Sequence, residues 1–444
     1  MPLVATVVDL PADVVNVRAG DIDNDGSAEL IAVTQSQSGR DPDQVTLTFV
    51  AITDSGPGAS SALQLGNRPL YWEANGGLYG VDGQGLWSLD PSGGAPSAVV
   101  ALITPLAGIG PATPRQAPLA HDLNGDGAPE LFVFSGGRLH AFAQSGEPLG
   151  SVATPSRGGL GGGDGLQLSV STGSREVVFA DLDGDGLEDI LLPAGDRADV
   201  HYTGDVIGER SRSVALPVDL EPRERGSLAR GETSREVSDR WFQDFDGDGM
   251  ADLGVLRTVM EGSWFGATSE LLFCKGNGAG FEQPLSVAFE SAAAEAYPLD
   301  TDDDGDLDLV IPQVDVGLGN IIQALTTKSV SLQVNVLEMN DGFAAEPTFL
   351  REVDFSIDPK SSFLVQYRLD FTGDGLPDLL MGEDGMLKLY AGSAEGIAKK
   401  ASAEVAVTVP PQAELLVADL TGDGVAEAFL WGRLGRQGTL IQLR

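Results

Sequence analysis

Cysteine, histidine and lysine are scarce in this chain of 444 residues, which has one Cys, three His and 21 Arg but six Lys. A lone Cys274 excludes a disulfide framework and a cysteine metal site, and three His disfavour a histidine site. No nucleophile elbow, phosphate-binding Gly loop or His-Glu metal box occurs. We therefore expect a chain that is not an enzyme.

Long apolar runs and an early basic residue are also missing. The best apolar stretch, residues 99–109, is broken by Thr104, Pro105 and Gly108, so no transmembrane segment is predicted. The first basic residue is Arg18, and the secretory n-region is therefore absent. We expect a chain without its own signal peptide.

Basic side chains are outnumbered, with 27 Lys and Arg against 66 Asp and Glu and a net charge of −39. Such a surface repels phosphate backbones, so a nucleic-acid partner is excluded. Hydrophobic residues make up 42% of the chain, enough for large folded cores. Amphipathic-helix patterns are almost absent, and the 58 Gly belong to turns.

The acid is concentrated in a nine-residue pattern, Asp-x-(Asp/Asn/Thr)-x-Asp-Gly-x-x-(Asp/Glu), that occurs seven times. Each copy is followed directly by an apolar run such as ELIAV or DLGVL. Oxygens at positions 1, 3 and 5 of a tight loop converge, and Gly at position 6 permits the turn. A carbonyl at position 7 and a carboxylate at position 9 would complete the roughly six to eight oxygens that Ca2+ prefers. The pattern predicts up to seven Ca2+ sites.

The predicted metal ligands are the residues at positions 1, 3, 5, 7 and 9 of each copy. In chain order they are Asp21, Asp23, Asp25, Ser27, Glu29; Asp122, Asn124, Asp126, Ala128, Glu130; Asp181, Asp183, Asp185, Leu187, Asp189; Asp244, Asp246, Asp248, Met250, Asp252; Asp300, Asp302, Asp304, Asp306, Asp308; Asp370, Thr372, Asp374, Leu376, Asp378; and Asp419, Thr421, Asp423, Val425, Glu427. Three copies have Asn or Thr at position 3 and are expected to bind more weakly. The alternatives are Asp/Gly turns without metal, or metals with a purely structural role.

The flanking segments predict the fold. Strand-like runs precede and follow each loop, and each unit of about 50–65 residues reads as a four-stranded meander. Four-stranded units repeated around an axis form a β-propeller, an all-β fold. The long gap between the first two loops contains a further unit, whose loop has shrunk to Asn75-Gly76-Gly77. Eight blades are therefore preferred, and seven is the alternative.

Closure of the ring is predicted from the two ends of the chain. The last unit has three strands, and the segment LVATVVDL from Leu3 to Leu10 resembles a fourth strand. We expect this N-terminal strand to complete the last blade of a single propeller domain over residues 1–444. The predicted blades cover, in order, residues 12–66, 67–111, 112–167, 168–233, 234–290, 291–358, 359–408, and 409–444 with 1–11.

The seven loops and their following strands resemble the FG-GAP or VCBS-type repeats of integrin α-subunit propellers and bacterial surface proteins. The resemblance implies a calcium-binding adhesion or protein-interaction module of bacterial type, located outside the cell or on its surface, with a protein or glycan ligand at a propeller face. The alternative is a carbohydrate-binding lectin or a polysaccharide lyase domain on the same scaffold. A third interpretation is a subunit of a larger cell-surface assembly.

Two further features have less specific interpretations. Seven Arg lie between residues 210 and 240 among acidic residues, which fits either capture of an anionic partner or a self-neutralised loop. Positions 1, 3, 5 and 9 of the loops, where side chains are the predicted ligands, hold 25 of the 66 acids, so the rest of the chain has 41 acids against 27 bases. The net charge of −39 is thus largely the charge of the loops.

Overall fold

The computed structural model of the protein describes most of the chain, with short gaps. The described residues are 2–36, 44–66, 71–81, 85–91, 97–101, 115–116, 119–135, 137–154, 157–162, 168–173, 176–204, 207–220, 233–261, 267–293, 295–314, 326, 329–340, 342–344, 346–356, 365–383, 385–393, 397–410, 413–432 and 435–444.

Eight antiparallel four-stranded units form the blades of a β-propeller. The chain starts with β1 (Leu3–Asp9). Blade 1 comprises β2 (Val14–Gly20), β3 (Glu29–Ser36), β4 (Gln44–Thr53) and β5 (Gly56–Gly66). Blade 2 comprises β6 (Tyr71–Ala74), β7 (Leu78–Val81), β8 (Gly85–Ser88) and β9 (Ser97–Ala101), with β10 (Arg115–Gln116) added in parallel to β6. Blade 3 comprises β11 (Ala120–His121), β12 (Glu130–Ser135), β13 (Arg138–Phe142) and β14 (Pro148–Ala153). A separate hairpin of β15 (Arg157–Gly162) and β16 (Leu168–Gly173) follows.

The second half repeats the same order. Blade 4 comprises β17 (Val178–Ala180), β18 (Asp189–Ala194), β19 (Arg197–Tyr202) and β20 (Arg210–Ala215). Blade 5 comprises β21 (Thr233–Gln243), β22 (Asp252–Glu261), β23 (Thr268–Cys274) and β24 (Leu285–Phe289). Blade 6 comprises β25 (Tyr297–Leu299), β26 (Asp308–Gln313), β27 (Ser329–Leu337) and β30 (Thr348–Ser356), and a small hairpin of β28 (Met339–Asn340) and β29 (Gly342–Phe343) precedes β30. Blade 7 comprises β31 (Val365–Leu369), β32 (Asp378–Glu383), β33 (Met386–Tyr390) and β34 (Ala403–Ala406). Blade 8 comprises β35 (Ala413–Ala418), β36 (Glu427–Gly432), β37 (Gln437–Leu443) and β1.

The N-terminal strand closes the ring, as predicted. β1 pairs antiparallel with β37 in a register that runs from Leu3 opposite Leu443 to Asp9 opposite Gln437. Main-chain hydrogen bonds extend the pairing at both ends, from Leu10 N to the Arg436 carbonyl at 2.8 Å and from Arg444 N to the Pro2 carbonyl at 3.0 Å. The two ends of the chain therefore share one sheet.

The apolar core lies between the blades. Each of eight clusters of buried side chains combines residues of two consecutive blades, and one of them joins blade 8 to blade 1. Side chains alternate between the two faces of a strand, so Leu191 of β18 packs toward blade 5 while Ile190 packs toward blade 3. This arrangement explains why the second strands read as continuous apolar runs. Eight contacts in a closed sequence confirm the eight-bladed ring, including the blade with the shortened loop.

A glycine in the closing blade is expected to be sensitive to substitution. A Cβ at Gly438 of β37 would lie 2.0 Å from Cζ of the buried Phe429 ring. We expect Gly438→Ala to lower the free energy of unfolding by about 1–3 kcal/mol, because over-packing forces neighbouring side chains out of place. Urea unfolding measures the change. The control is Gly204→Ala, where the added Cβ meets no atom within 4 Å. Equal losses in the two variants would contradict the packing.

Within the part of the chain that the structure describes, no helix is long and apolar enough to span a membrane.

Candidate metal centres in the repeated loops

The seven nine-residue copies occupy the same place in seven blades. Each connects the first strand of its blade to the second, and the position 9 acid is the first residue of the second strand. The loops are named here by their blades: blade 1 (Asp21–Glu29), blade 3 (Asp122–Glu130), blade 4 (Asp181–Asp189), blade 5 (Asp244–Asp252), blade 6 (Asp300–Asp308), blade 7 (Asp370–Asp378) and blade 8 (Asp419–Glu427). Because every blade has the same strand order, all seven loops lie at one face of the ring.

One hydrogen-bond pattern shapes all seven loops. The position 1 carboxylate accepts a hydrogen bond from the backbone N–H of the position 6 glycine, at 2.7–3.1 Å. The position 5 carboxylate accepts one from the N–H of position 7, at 2.8–3.1 Å. The position 9 carboxylate accepts one from the N–H of position 2, at 2.7–3.3 Å. Three predicted ligand positions therefore also hold the turn.

Two left-handed residues bend each loop. The position 6 glycine has φ between +82° and +92° in every copy, as expected from its lack of a Cβ. Position 4 is left-handed as well, with φ between +61° and +75°, and here Asn24 and Asp303 replace glycine. Position 4 is not one of the predicted ligand positions, and its left-handed conformation was not predicted from the sequence. The signal was present, since all seven copies have Gly, Asn or Asp there, the residues that tolerate positive φ best.

Main-chain hydrogen bonds connect successive loops around the ring. The position 8 N–H donates to a carbonyl at position 1 or position 2 of the preceding loop, for example from Ala28 to Asp419 at 3.0 Å and from Leu307 to Phe245 at 2.7 Å. In the blade 3 and blade 7 loops position 8 is Pro129 or Pro377, which has no N–H to donate. In blade 2 the shortened loop donates from Gly77 N to the Asp21 carbonyl at 3.3 Å. The loops thus support one another across blades.

The position 9 residues are the most buried acids of each loop, with 0–8% of their surface exposed. The aspartates there use both oxygens: Asp252 Oδ1 also accepts the Gly276 N–H at 2.7 Å, and Asp378 Oδ1 accepts the Gly392 N–H at 2.7 Å. These bonds tie the loop to the end of the third strand. Burial raises the pKa of Glu29 and Asp189 to about 7 and that of Asp252 to about 6.

In the absence of metal, stability is expected to fall as pH rises from about 4 to 7. The raised pKa values mean that the folded chain holds protons that the unfolded chain has released above pH ~4. This contribution is fully present below the unfolded pKa and is lost as the pH passes through the folded pKa. Thermal unfolding in EGTA at pH 5 and pH 7.5 measures it, with the same scans in Ca2+ as the control. A metal-free protein that is more stable at pH 7.5 would contradict the expectation.

Carboxylate oxygens converge in four of the loops. Ligand atoms of three acids lie within 4.8 Å of one another in the loops of blades 1, 4, 5 and 6. The groups are Asp21, Asp23, Glu29; Asp181, Asp183, Asp189; Asp244, Asp246, Asp248; and Asp300, Asp302, Asp304. Two position 3 oxygens, Asp183 Oδ1 and Asp246 Oδ1, are buried without a hydrogen-bond partner. A buried carboxylate oxygen left unpaired is costly unless a cation compensates it.

In the other three loops the neutral side chain at position 3 donates a hydrogen bond to a carboxylate of the same loop. Asn124 Nδ2 donates to Glu130 Oε1 at 3.3 Å, and Thr421 Oγ1 donates to Glu427 Oε1 at 3.2 Å. Thr372 Oγ1 donates to Asp370 Oδ1 at 3.4 Å. One carboxylate in each of these loops is therefore already hydrogen-bonded to the position 3 side chain. Weaker metal binding there stays a prediction.

The residues present fit a hard divalent cation. The four convergent groups offer only oxygen ligands, and two of the loops contain a buried oxygen that has no protein partner. Ca2+ prefers such ligands. When bound, it would supply positive charge to carboxylates that otherwise repel one another.

Three of the four described arginines of the 210–240 stretch are paired with acids. Arg210 contacts Asp183, and Arg240 contacts Glu176. Arg235 Nε lies 3.7 Å from Glu270. Among the described residues the self-neutralised interpretation has support, while residues 221–232 lie outside the described part of the chain.

The closed ring and the acid loops define the class of protein as a β-propeller with loop repeats. The family of FG-GAP-like repeats matches residues 122–192 and 370–430, which contain the loops of blades 3, 4, 7 and 8. The chain therefore carries FG-GAP-like repeats on a propeller, which confirms the resemblance drawn from its loops. A comparison with curated proteins returned no match.

The solved structures that match this chain are distant in sequence. BBS1N, in complex with ARL6DN, is 11% identical with a TM-score of 0.39, over 98% of this chain and 94% of that one. An Agrocybe aegerita lectin that recognises non-reducing terminal N-acetylglucosamine is 15% identical with a TM-score of 0.28, over 57% and 74%. The V. cholerae biofilm matrix protein Bap1 is 15% identical with a TM-score of 0.26, over 98% and 87%. Every one of these TM-scores is below 0.5, so these likenesses carry no argument about function.

Proposed function

We propose that this protein is a calcium-loaded propeller that acts as an extracellular or cell-surface adhesion or protein-interaction module. The observation that carries the proposal is the common geometry of the seven loops. Each is shaped around its position 1 carboxylate, and four bring three acids together within 4.8 Å. The two unpaired buried oxygens on Asp183 and Asp246 support a cation at this face.

The role assigned to Ca2+ is to stabilise the ring. The loops join neighbouring blades through main-chain bonds, so a cation that stabilises one loop also stabilises a contact between blades. Any ligand of the folded state stabilises it by mass action. Weak sites of this kind fill at the millimolar Ca2+ found outside cells, which is the reason for the proposed location.

The proposed partner is a protein, and the proposal assigns no catalytic activity to the chain. Two hairpins lie outside the repeated four-stranded frame, β15–β16 between blades 3 and 4 and β28–β29 within blade 6. Because the repeats build the ring without them, these hairpins are the first segments to test as partner contacts.

A glycan array probed with and without Ca2+ tests the proposed partner class. The proposal expects no glycan to be bound above background in either condition. Calcium-dependent binding to a defined sugar would overturn it in favour of a lectin. Calcium titration calorimetry tests the metal separately, and no heat of binding at millimolar Ca2+ would overturn that part.

A further inference from the structure

Two of the seven loops contain a basic side chain among their carboxylates. Lys275 Nζ contacts Asp246 Oδ2 and lies 3.1 Å from Asp248 Oδ2 in the blade 5 loop. Arg210 contacts Asp183 Oδ2 in the blade 4 loop. In both loops the basic side chain contacts the position 3 acid, which is one of the predicted Ca2+ ligands. Lys275 is also the first of the six lysines in the chain.

Both basic side chains are associated with the position that faces the position 9 acid: Lys275 occupies it in blade 5, and Arg210 packs on the residue that occupies it in blade 4. Extending the strand register by one residue beyond its last pair places Lys275 opposite the position 9 acid Asp252, and it places Tyr202 opposite the equivalent acid of blade 4. The Arg210 guanidinium lies over the Tyr202 ring, 4.1 Å from its centroid. The remaining acid loops have an uncharged or acidic residue at this position, namely Ala51, Ala143, Glu338, Ala391 and Gln442.

The contacted acids are the ones with an unpaired oxygen. Asp183 and Asp246 each pair one oxygen with the cation and keep the other, Oδ1, buried without a hydrogen-bond partner. The basic side chains themselves remain accessible, with 43% of the Lys275 side chain and 64% of the Arg210 side chain exposed. They can therefore withdraw into solvent when a metal ion takes their place beside the largely buried Asp183 and Asp246 carboxylates, of whose side chains 13% and 15% is exposed.

We propose that Lys275 and Arg210 are tethered cations that compete with Ca2+ for the blade 5 and blade 4 loops. This inference rests on the proposed role of the loops as Ca2+ sites. Two cations on the same carboxylates repel each other, so Ca2+ binds there only when the basic side chain withdraws. These two loops then bind Ca2+ more weakly than the loops of blades 1 and 6, which have carboxylates at the same ligand positions. Without Ca2+, the tethered cations reduce repulsion within their loops.

Native mass spectrometry of the full chain at graded free Ca2+ concentrations tests the competition. Lys275→Met should move one binding step to a concentration roughly tenfold lower, because about two charge-assisted contacts no longer oppose the metal. Arg210→Gln should move a different step in the same direction and by less, since its contact is more exposed. Arg212→Gln, an exposed arginine of the same strand, is the control of equal charge and should leave every step in place.

A thermal unfolding comparison separates competition from a purely structural role. Lys275→Met should lower the melting temperature in EGTA and leave it unchanged in saturating Ca2+, and Lys275→Arg should behave as the wild type. Losses of equal size in both conditions would overturn the inference. It would also be overturned if the wild type binds Ca2+ and the Lys275→Met variant has the same binding curve. A wild type that binds no Ca2+ would instead overturn the proposed function and this inference together.

Discussion

Chelation of calcium is expected to lower the midpoint of thermal unfolding by about 10 °C or more. A site filled at roughly 100 times its Kd stabilises the folded state by about 2.7 kcal/mol. The four loops with converging acids would together contribute on the order of 10 kcal/mol. Scanning calorimetry in 1 mM Ca2+ and in EGTA measures the difference.

Two controls make the chelation result specific. Addition of excess Ca2+ to the EGTA sample should restore the original midpoint. Mg2+ at the same concentration should restore less, because it demands a tighter octahedral shell than these loops are expected to offer. Superimposable melting curves with and without Ca2+ would show that the loops are Asp/Gly turns without a metal.

Loss of the N-terminal strand is expected to abolish cooperative folding. Deletion of residues 1–11 removes the fourth strand of blade 8 together with the buried Leu3, Val8 and Leu10. These side chains belong to the clusters on both sides of blade 8, so both contacts are weakened at once. Each buried side chain is worth about 1.5–3 kcal/mol, and a domain has only about 5–15 kcal/mol of net stability. Solubility and a calorimetric transition are the measurements.

A pair of point variants tests the closure without deleting the strand. Val8→Asp places a carboxylate in the contact between blades 8 and 1, where only 2% of Val8 is exposed. Val7→Asp is its neighbour on the same strand, with 61% of the side chain exposed. We expect Val8→Asp to lower the free energy of unfolding by about 3 kcal/mol or more. Val7→Asp should stay within about 0.5 kcal/mol of the wild type. Equal effects would contradict the closure.

The repeated loop could be predicted in detail because its chemistry is local. Asp244, Asp248 and Asp252 hold the backbone of their own nine residues, so their spacing alone fixes their roles. The closure by β1 was predictable for a related reason, since a three-stranded last unit needs a fourth strand. The left-handed conformation of position 4 is encoded in its residue types, which are Gly, Asn and Asp.

Contacts between distant segments could not be predicted from spacing. Lys275 lies 29 residues after Asp246, and its contact depends on the register of β22 with β23. The main-chain bond from Ala28 to Asp419 joins opposite ends of the chain and exists only after the ring has closed. In the hairpin of β15 and β16, the first strand, RGGLGG, is rich in glycine and shows little of the alternation that marks a strand.

The number of Ca2+ ions bound per chain tests the central claim most directly. Equilibrium dialysis at millimolar free Ca2+, followed by elemental analysis, gives this number. The account predicts seven ions for the wild type and six for Asp302→Ala, which removes the position 3 acid of blade 6. Glu404→Ala, an exposed acid outside the loops, should keep all seven. A wild-type chain that retains no Ca2+ would contradict the account.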